Sequence, residues 1–199
     1  MIEIINMSDL EDEGTLTQPM REKPNKLKQI GQPNSRKLYI EDYVYTYLYQ
    51  IAAANEEKEA MAILLGSIEN TDTEVNVYAE GAIEVKYHLV DNQSITFTEE
   101  TWSDLHEKMN QYFGGKKIVG WYMSQPGYGA VLNEVIYKTH SENFSENGQA
   151  LFMIDQIEKE EVYYSYENGM LKKQAGYYIF YERNQPMQDF MIESRETKK

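Results

Sequence analysis

The chain has 199 residues and a net charge of −14, with 41% hydrophobic and 26% charged residues. This composition suits one globular domain with a sizeable core, and no apolar run reaches the roughly 20 residues that a membrane-spanning helix needs. So acidic a chain repels phosphate backbones, which argues against nucleic-acid binding. The absence of cysteine excludes disulfides, thiolate zinc sites and a cysteine nucleophile. Because the acidic amino terminus does not resemble a secretory signal, we expect a cytoplasmic protein.

The first 36 residues are predicted to form a disordered tail. Residues 1–20 carry five acids and no base, residues 21–37 carry six bases and one acid, and neither stretch has a sustained apolar period. The basic stretch is interpreted as solvated linker. We expect the compact domain to span residues 37–192 and residues 193–199 to form a charged tail.

Two helices are predicted within the domain. The first follows the acidic residues Glu41 and Asp42, whose charge suits a helix amino terminus. The second follows Thr98, which suits an N-cap, and ends at Gly114. Apolar residues recur at helical spacing in both: Val44, Leu48, Ile51 and Ala52 in the first, and Trp102, Leu105, Met109, Tyr112 and Phe113 in the second.

The remaining periodic segments are predicted to be strands, because they are continuously apolar or alternate between apolar and polar residues. They are residues 60–67, 74–79, 83–90, 117–123, 151–154, 162–166 and 170–181. The last two are joined through Asn168 and Gly169, and Asn-Gly between alternating segments indicates a two-residue hairpin. Several of the 17 tyrosines of the chain alternate along the last strands, which suits either a covered sheet face or a protein interface.

A motif follows the second predicted helix. Residues 120–129 have the sequence GWYMSQPGYG, and residues 59–66 have the sequence EAMAILLG. The first segment resembles the Gly-Trp-Tyr-His-Ser-His-Pro-Gly motif of MPN/JAMM domains, and the second resembles the family strand that begins with the catalytic glutamate. The matching positions of the motif and its continuation are Gly120, Trp121, Tyr122, Ser124, Pro126, Gly127, Tyr128, Gly129 and Leu132.

The chain thus resembles a bacterial MPN-like domain over most of residues 37–155. The resemblance implies an α/β fold, with an MPN-like mixed sheet flanked by helices, and the strand pattern adds a C-terminal β-hairpin. In some similar bacterial proteins a membrane helix and a cell-wall-binding LysM module follow the domain. Arg195 and the terminal lysines suit either the cytoplasmic flank of such a membrane segment or a soluble terminus.

Catalytic members of this family hold zinc with two histidines and an aspartate, and a glutamate acts as general base. The resemblance places Met123 and Gln125 at the histidine positions and Ile136 at the aspartate position. Glu59 matches the general base, and Asn133 stands where the family has a serine. None of the three ligand positions holds a usual zinc ligand, so we expect no metal and no other cofactor.

The degenerate motif implies a non-catalytic protein-binding or scaffold domain, a pseudoenzyme that pairs with itself or with a protein partner. Its cleft candidates are Glu59, Met123, Ser124, Gln125, Tyr128 and Asn133. Glu59 is either a relict general base or an ordinary acid before a strand. The alternative is a hydrolase that reuses the cleft with another metal or residue set, for instance Glu59 with Glu134 or Asp155. The separated residues His88, His106 and His140 do not form a ligand pair.

Overall fold

The computed structural model describes residues 20–91 and 93–197. In these ranges the helices are α1 (Asp42–Ala54), α2 (Glu99–Tyr112), α3 (Glu134–Asn143) and α4 (Gln185–Thr197). The strands are β1 (Leu27–Gly31), β2 (Arg36–Glu41), β3 (Ala60–Asn70), β4 (Val75–Glu84), β5 (His88–Val90), β6 (Ile95–Phe97), β7 (Lys117–Ser124), β8 (Ala150–Asp155), β9 (Glu160–Glu167), β10 (Met170–Lys173) and β11 (Gly176–Phe180). None of the helices is long and apolar enough to cross a bilayer.

Nine strands form one mixed sheet in the order β1-β11-β2-β4-β3-β7-β8-β9-β10, and β5 pairs with β6 in a separate ribbon. Strands β10 and β11 lie near opposite ends of this order, yet only residues 174 and 175 separate them in the chain. The sheet must therefore curl. Arg36 links β2 to β9 across the curl: its guanidinium donates to Ser165 Oγ at 2.6 Å and forms an ion pair with Glu167 at 2.9 Å.

Helices cover both faces of the curled sheet. On one face, β7 presents Trp121, whose ring packs against Phe97 of β6 and Phe144 after α3. On the other face, the hydroxyl of Tyr122 donates to the backbone oxygen of Leu48 in α1 at 2.9 Å. Because successive side chains of a strand point to opposite faces, β7 lies in the middle of the core with a helix layer on each side.

The α/β fold with a mixed sheet and flanking helices is confirmed. The helix expected after Thr98 forms as α2, where Thr98 and Thr101 make a reciprocal capping box. The C-terminal hairpin joins β9 to β10, with Met170 opposite Glu167. Asn168 and Gly169 both have positive φ, as a two-residue hairpin turn of this type requires.

The structure differs from the predicted strands at two places. Residues 170–181 do not form one strand, because the chain leaves β10 at Gln174 and crosses to the β2 side of the curled sheet as β11. Residues 83–90 likewise divide between the end of β4 and the ribbon strand β5. Helices α3 and α4 and strands β1, β2 and β6 were not predicted. Helix α4 does carry local signals, since Asn184 accepts a hydrogen bond from Met187 N at 3.3 Å as an N-cap would.

The predicted tails are wrong where the structure describes them. Strand β1 pairs antiparallel with β11, with Leu27 opposite Phe180, so residues 20–36 are not a disordered tail. Helix α4 continues through the range 193–197, which was expected to be a charged tail. Residues 1–19, 198 and 199 lie outside the described residues, and for residues 1–19 disorder stays a prediction.

Arg21 explains why the basic stretch joins the domain. A row of stacked rings, Tyr78, Tyr39 and Tyr178, lies on the sheet with Phe180 beside it. The guanidinium carbon of Arg21 lies 4.5 Å from the ring centre of Tyr78, and its nitrogens pair with Glu80 at 3.1 Å and Glu182 at 2.6 Å. A cation on a ring face is attracted to it, most strongly where water is excluded.

We expect Arg21→Ala to lower the free energy of unfolding by about 2 kcal/mol, because the substitution removes a partly buried cation from aromatic rings and from two carboxylates. Urea denaturation followed by tryptophan fluorescence measures this change. The matched control is Arg183→Ala, since Arg183 is exposed in the segment between β11 and α4. Equal losses in the two variants would contradict this role for Arg21.

Candidate functional site

The motif strand β7 lies between β3 and β8, and its last residues form the floor of a cleft. Met123 pairs with Met61 of β3 and with Met153 of β8, so three methionines stand side by side on one face of the sheet. Met61 and Met153 are fully buried, and Met123 is only 4% exposed. The floor is therefore apolar, and methionine side chains give it an adaptable surface.

The loop after β7 is fixed by a buried carboxylate. Asp155 Oδ1 accepts a hydrogen bond from Gly127 N at 3.0 Å, and Oδ2 accepts one from Gly129 N at 2.7 Å. Both glycines have φ near +80°, a conformation that side chains other than glycine rarely adopt. The two motif glycines thus allow the loop backbone to turn both N–H groups toward one carboxylate.

Asp155 also accepts hydrogen bonds from the next turn of its own strand end, from Ile157 N at 2.9 Å and Glu158 N at 3.1 Å. Its burial opposes ionisation, but the backbone donors outweigh that effect and hold the pKa of Asp155 below its ordinary value. The carboxylate is therefore charged at neutral pH, and it accepts hydrogen bonds from the backbone of two loops.

Helix α3 brings Ile136 to the wall of the cleft. Asn133 caps this helix, since its side-chain oxygen accepts a hydrogen bond from Ile136 N at 2.8 Å. Ile136 in the first turn is 1% exposed and belongs to the same core cluster as Met123. The cap thus fixes the start of the helix and the position of Ile136.

The cleft has a volume of about 290 Å³, close to the lower end of the range for small-molecule sites. It lies between the turn before β3, the end of β5, the loop after β7 and the start of α3. Apolar side chains form its floor, and three carboxylates and one ammonium group also line it. The lining residues are Glu57, Lys58, Glu59, Val90, Asp91, Ile95, Met123, Gln125, Pro126, Tyr128, Asn133, Val135 and Ile136.

A sequence profile of the family described as JAB1/Mov34/MPN/PAD-1 ubiquitin protease matches residues 33–147, which is more than half of the chain. The chain belongs to the MPN family. This match covers β7, the loop that follows it and α3, and therefore most of the cleft. No curated protein sequence matches the chain.

The fold of this MPN domain is similar to a solved bacterial structure, the solution structure of protein DSY2949 from Desulfitobacterium hafniense. The two share 12% sequence identity with a TM-score of 0.52, and the match covers 73% of this chain and 93% of that one. At this level of identity the similarity supports the fold alone.

The structure brings most of the predicted cleft residues of the MPN domain together. Glu59, Met123, Gln125, Tyr128 and Asn133 all line the cleft. Ser124 does not: it is fully buried and points to the opposite face of β7 from Met123, because side chains alternate along a strand. Ser124 is thus wrongly placed among the cleft candidates.

The two acids considered as partners of Glu59 do not join it. Asp155 is buried and bonded to four backbone N–H groups, and Glu134 is exposed on α3 and does not line the cleft. Sequence reasoning missed the lining acids Glu57 and Asp91. Glu57 precedes a predicted strand and could have been included with Glu59, whereas Asp91 reaches the cleft only through the β5–β6 ribbon.

The residues at the family's metal positions do not fit zinc. Met123 offers a thioether, Gln125 a neutral amide and Ile136 a hydrocarbon, whereas zinc in proteins prefers imidazole, thiolate and carboxylate. Among the described residues, no three His, Cys, Asp or Glu side chains are grouped so that they could hold a metal ion. The donor set of catalytic MPN domains is therefore missing from this cleft.

His140 has a structural place in the core. It is fully buried, and its Nδ1 accepts a hydrogen bond from the indole nitrogen of Trp121 at 2.9 Å. Burial lowers the pKa of His140 to about 3, so the imidazole is neutral at physiological pH. Its hydrogen bond holds the indole ring of the motif residue Trp121 in the core.

Proposed function

We propose that this chain is a non-catalytic MPN-like protein-binding or scaffold domain, and that the cleft is its recognition surface. One observation carries the proposal. The three positions that hold the metal in catalytic relatives are Met123, Gln125 and Ile136 here, and these side chains line one cleft instead of a donor set. A thioether, an amide and an isoleucine cannot generate a metal-bound hydroxide.

The rim of the cleft supports protein recognition. Tyr128 is 76% exposed, and Val131 of the same loop is also exposed. Tyrosine is enriched at protein interfaces because it combines a large apolar body with a polar tip. The loop that carries Tyr128 is fixed by Asp155, so the aromatic side chain is presented from a preorganised backbone.

The partner is a second copy of this chain or another protein. The absence of cysteine among the 199 residues supports placing this binding activity in the cytoplasm. The competing proposal is a hydrolase that uses Glu59 with a different metal or residue set. It rests on the observation that Glu59, which matches the family's general base, is half-buried and lines the cleft.

Site-specific photocross-linking in living cells tests the binding proposal. A photoreactive amino acid replaces Tyr128 at the rim in one variant and Met170 in the control, since Met170 is exposed on β10 and does not line the cleft. We expect one discrete adduct from position 128 alone. An adduct of twice the chain mass indicates a homodimer, and any other mass indicates a different partner.

Identical cross-linking patterns from the two positions would overturn the binding proposal. Elemental analysis of the purified unmodified chain addresses the hydrolase proposal separately. We expect no tightly held metal. One equivalent of metal per chain would support a catalytic site built from other residues and would remove the main support for a scaffold.

A further inference from the structure

The cleft is apolar at its floor and carries negative charge at its rim. Met123, Ile136 and Ile95 supply buried apolar surface. The charged side chains around this floor are three carboxylates, of Glu57, Glu59 and Asp91, and a single ammonium, of Lys58. Such a combination suits a ligand with an apolar stem and a cationic head, because its stem can cover the floor while its charge meets the rim.

Two further features favour a flat cation with several donors. The side-chain oxygen of Gln125, which lines the cleft, is buried and has no hydrogen-bond partner within the described part of the chain. An N–H donor from a ligand would satisfy it. Tyr128 also lines the cleft and is largely exposed, so its ring can stack on a planar cation.

We propose that the cleft accepts an arginine side chain of the protein partner; this rests on the proposed protein-binding function. Arginine presents five N–H donors in a planar fork and is always charged. The cleft offers three carboxylates, the oxygen of Gln125 and the ring of Tyr128 as complements. Lysine has a compact ammonium with three donors and does not stack as a plane, so it matches fewer of these groups.

A titration of the whole chain with Nα-acetyl-arginine methylamide tests this assignment. The matched probe is the citrulline derivative, which has nearly the same shape but no charge, and the lysine derivative separates guanidinium recognition from attraction of any cation. The methyl signal of Met123, labelled with ¹³C and followed by NMR, reports occupancy of the floor. We expect the arginine derivative to shift this signal and to bind at least about threefold more tightly than either other probe.

Substitutions of opposite sign distinguish recognition from a structural disturbance. We expect Glu59→Gln to weaken binding of the arginine derivative by about threefold, because it removes a rim carboxylate. Lys58→Gln should strengthen binding by a similar factor, because it removes the opposing charge. Glu56→Gln is the control, since Glu56 is exposed in the same turn but does not line the cleft.

Equal shifts by the arginine and citrulline derivatives, or no shift of Met123 by either, would overturn the inference. The inference would also be overturned if Glu59→Gln and Lys58→Gln changed the binding of the arginine derivative in the same direction. A discrete cross-link from position 128 together with no response to arginine overturns this inference and leaves the binding proposal standing. A response to arginine without any cross-linked partner overturns the protein-binding proposal and the assignment of the arginine to a partner, and leaves recognition of a guanidinium by the cleft standing.

Discussion

Zinc is expected to leave the thermal unfolding of the unmodified chain unchanged and to stabilise the triple variant Met123→His, Gln125→His, Ile136→Asp. The three positions line one cleft, so the substitutions place two imidazoles and a carboxylate around a common space. Without zinc, the triple variant should lose about 3–5 kcal/mol of unfolding free energy, because Ile136 is 1% exposed and its replacement buries an unpaired carboxylate. Added zinc should restore part of this loss.

The measurement is the melting temperature of both chains with and without zinc. The double variant Met123→His, Gln125→His keeps Ile136 and serves as a control that avoids the buried acid; it should fold stably and bind zinc more weakly. We expect little turnover even from the triple variant, because metal-bound imidazoles also need hydrogen bonds that orient them, and the three substitutions supply none of these. A rise in the melting temperature of the unmodified chain, or none in either variant, would show that the ligand positions are misassigned.

Elements with local signals could be predicted from the sequence. Helix α2 has its cap at Thr98 and an apolar stripe within fourteen residues, and the β9–β10 turn has the Asn-Gly pair that its backbone conformation requires. In both cases the residues that decide the structure are neighbours in the chain. Their prediction did not depend on knowing what packs against them.

Elements held by distant contacts could not be predicted in this way. Strand β1 has a mostly exposed sequence and forms because β11, about 150 residues later, supplies its hydrogen-bond partners. Arg21 is held by Glu80 and Glu182, and nothing near Arg21 in the sequence indicates either contact. The local composition of this stretch predicted a solvated linker. Its pairing with distant residues makes it part of the folded domain instead.

In the candidate site, too, some features could be predicted from one sequence motif and others depend on distant contacts. The positions of Met123, Gln125 and Ile136 followed from the resemblance of one motif, and the structure places all three in one cleft. The role of Asp155 did not follow, because its four backbone donors come from two loops that meet only after β7 and β8 pair in parallel. A sequence alone presents Asp155 as a free acid.

Asp155→Asn is expected to cost about 3 kcal/mol or more of unfolding free energy at neutral pH. An amide has one acceptor oxygen, so it cannot serve both Gly129 N and the three donors that bond to Oδ1. At least one buried N–H group then loses a charged acceptor, and hydrogen bonds to charged groups contribute about 1.5–3 kcal/mol each. Urea denaturation gives the loss, and Asp72→Asn is the control because Asp72 is exposed.

The pH dependence of this loss follows from the direction of the pKa shift. The pKa of Asp155 is lower in the folded chain than in the unfolded chain, so ionisation of Asp155 favours folding. That contribution is fully present above the unfolded pKa, about 3.9, and is lost as the pH falls through the lower folded pKa. The stability difference between the unmodified chain and Asp155→Asn should therefore be constant from pH 7 to about pH 5 and shrink below about pH 4. A difference that grows on acidification would mean that the carboxylate is not what holds the loop of Gly127 and Gly129 in place.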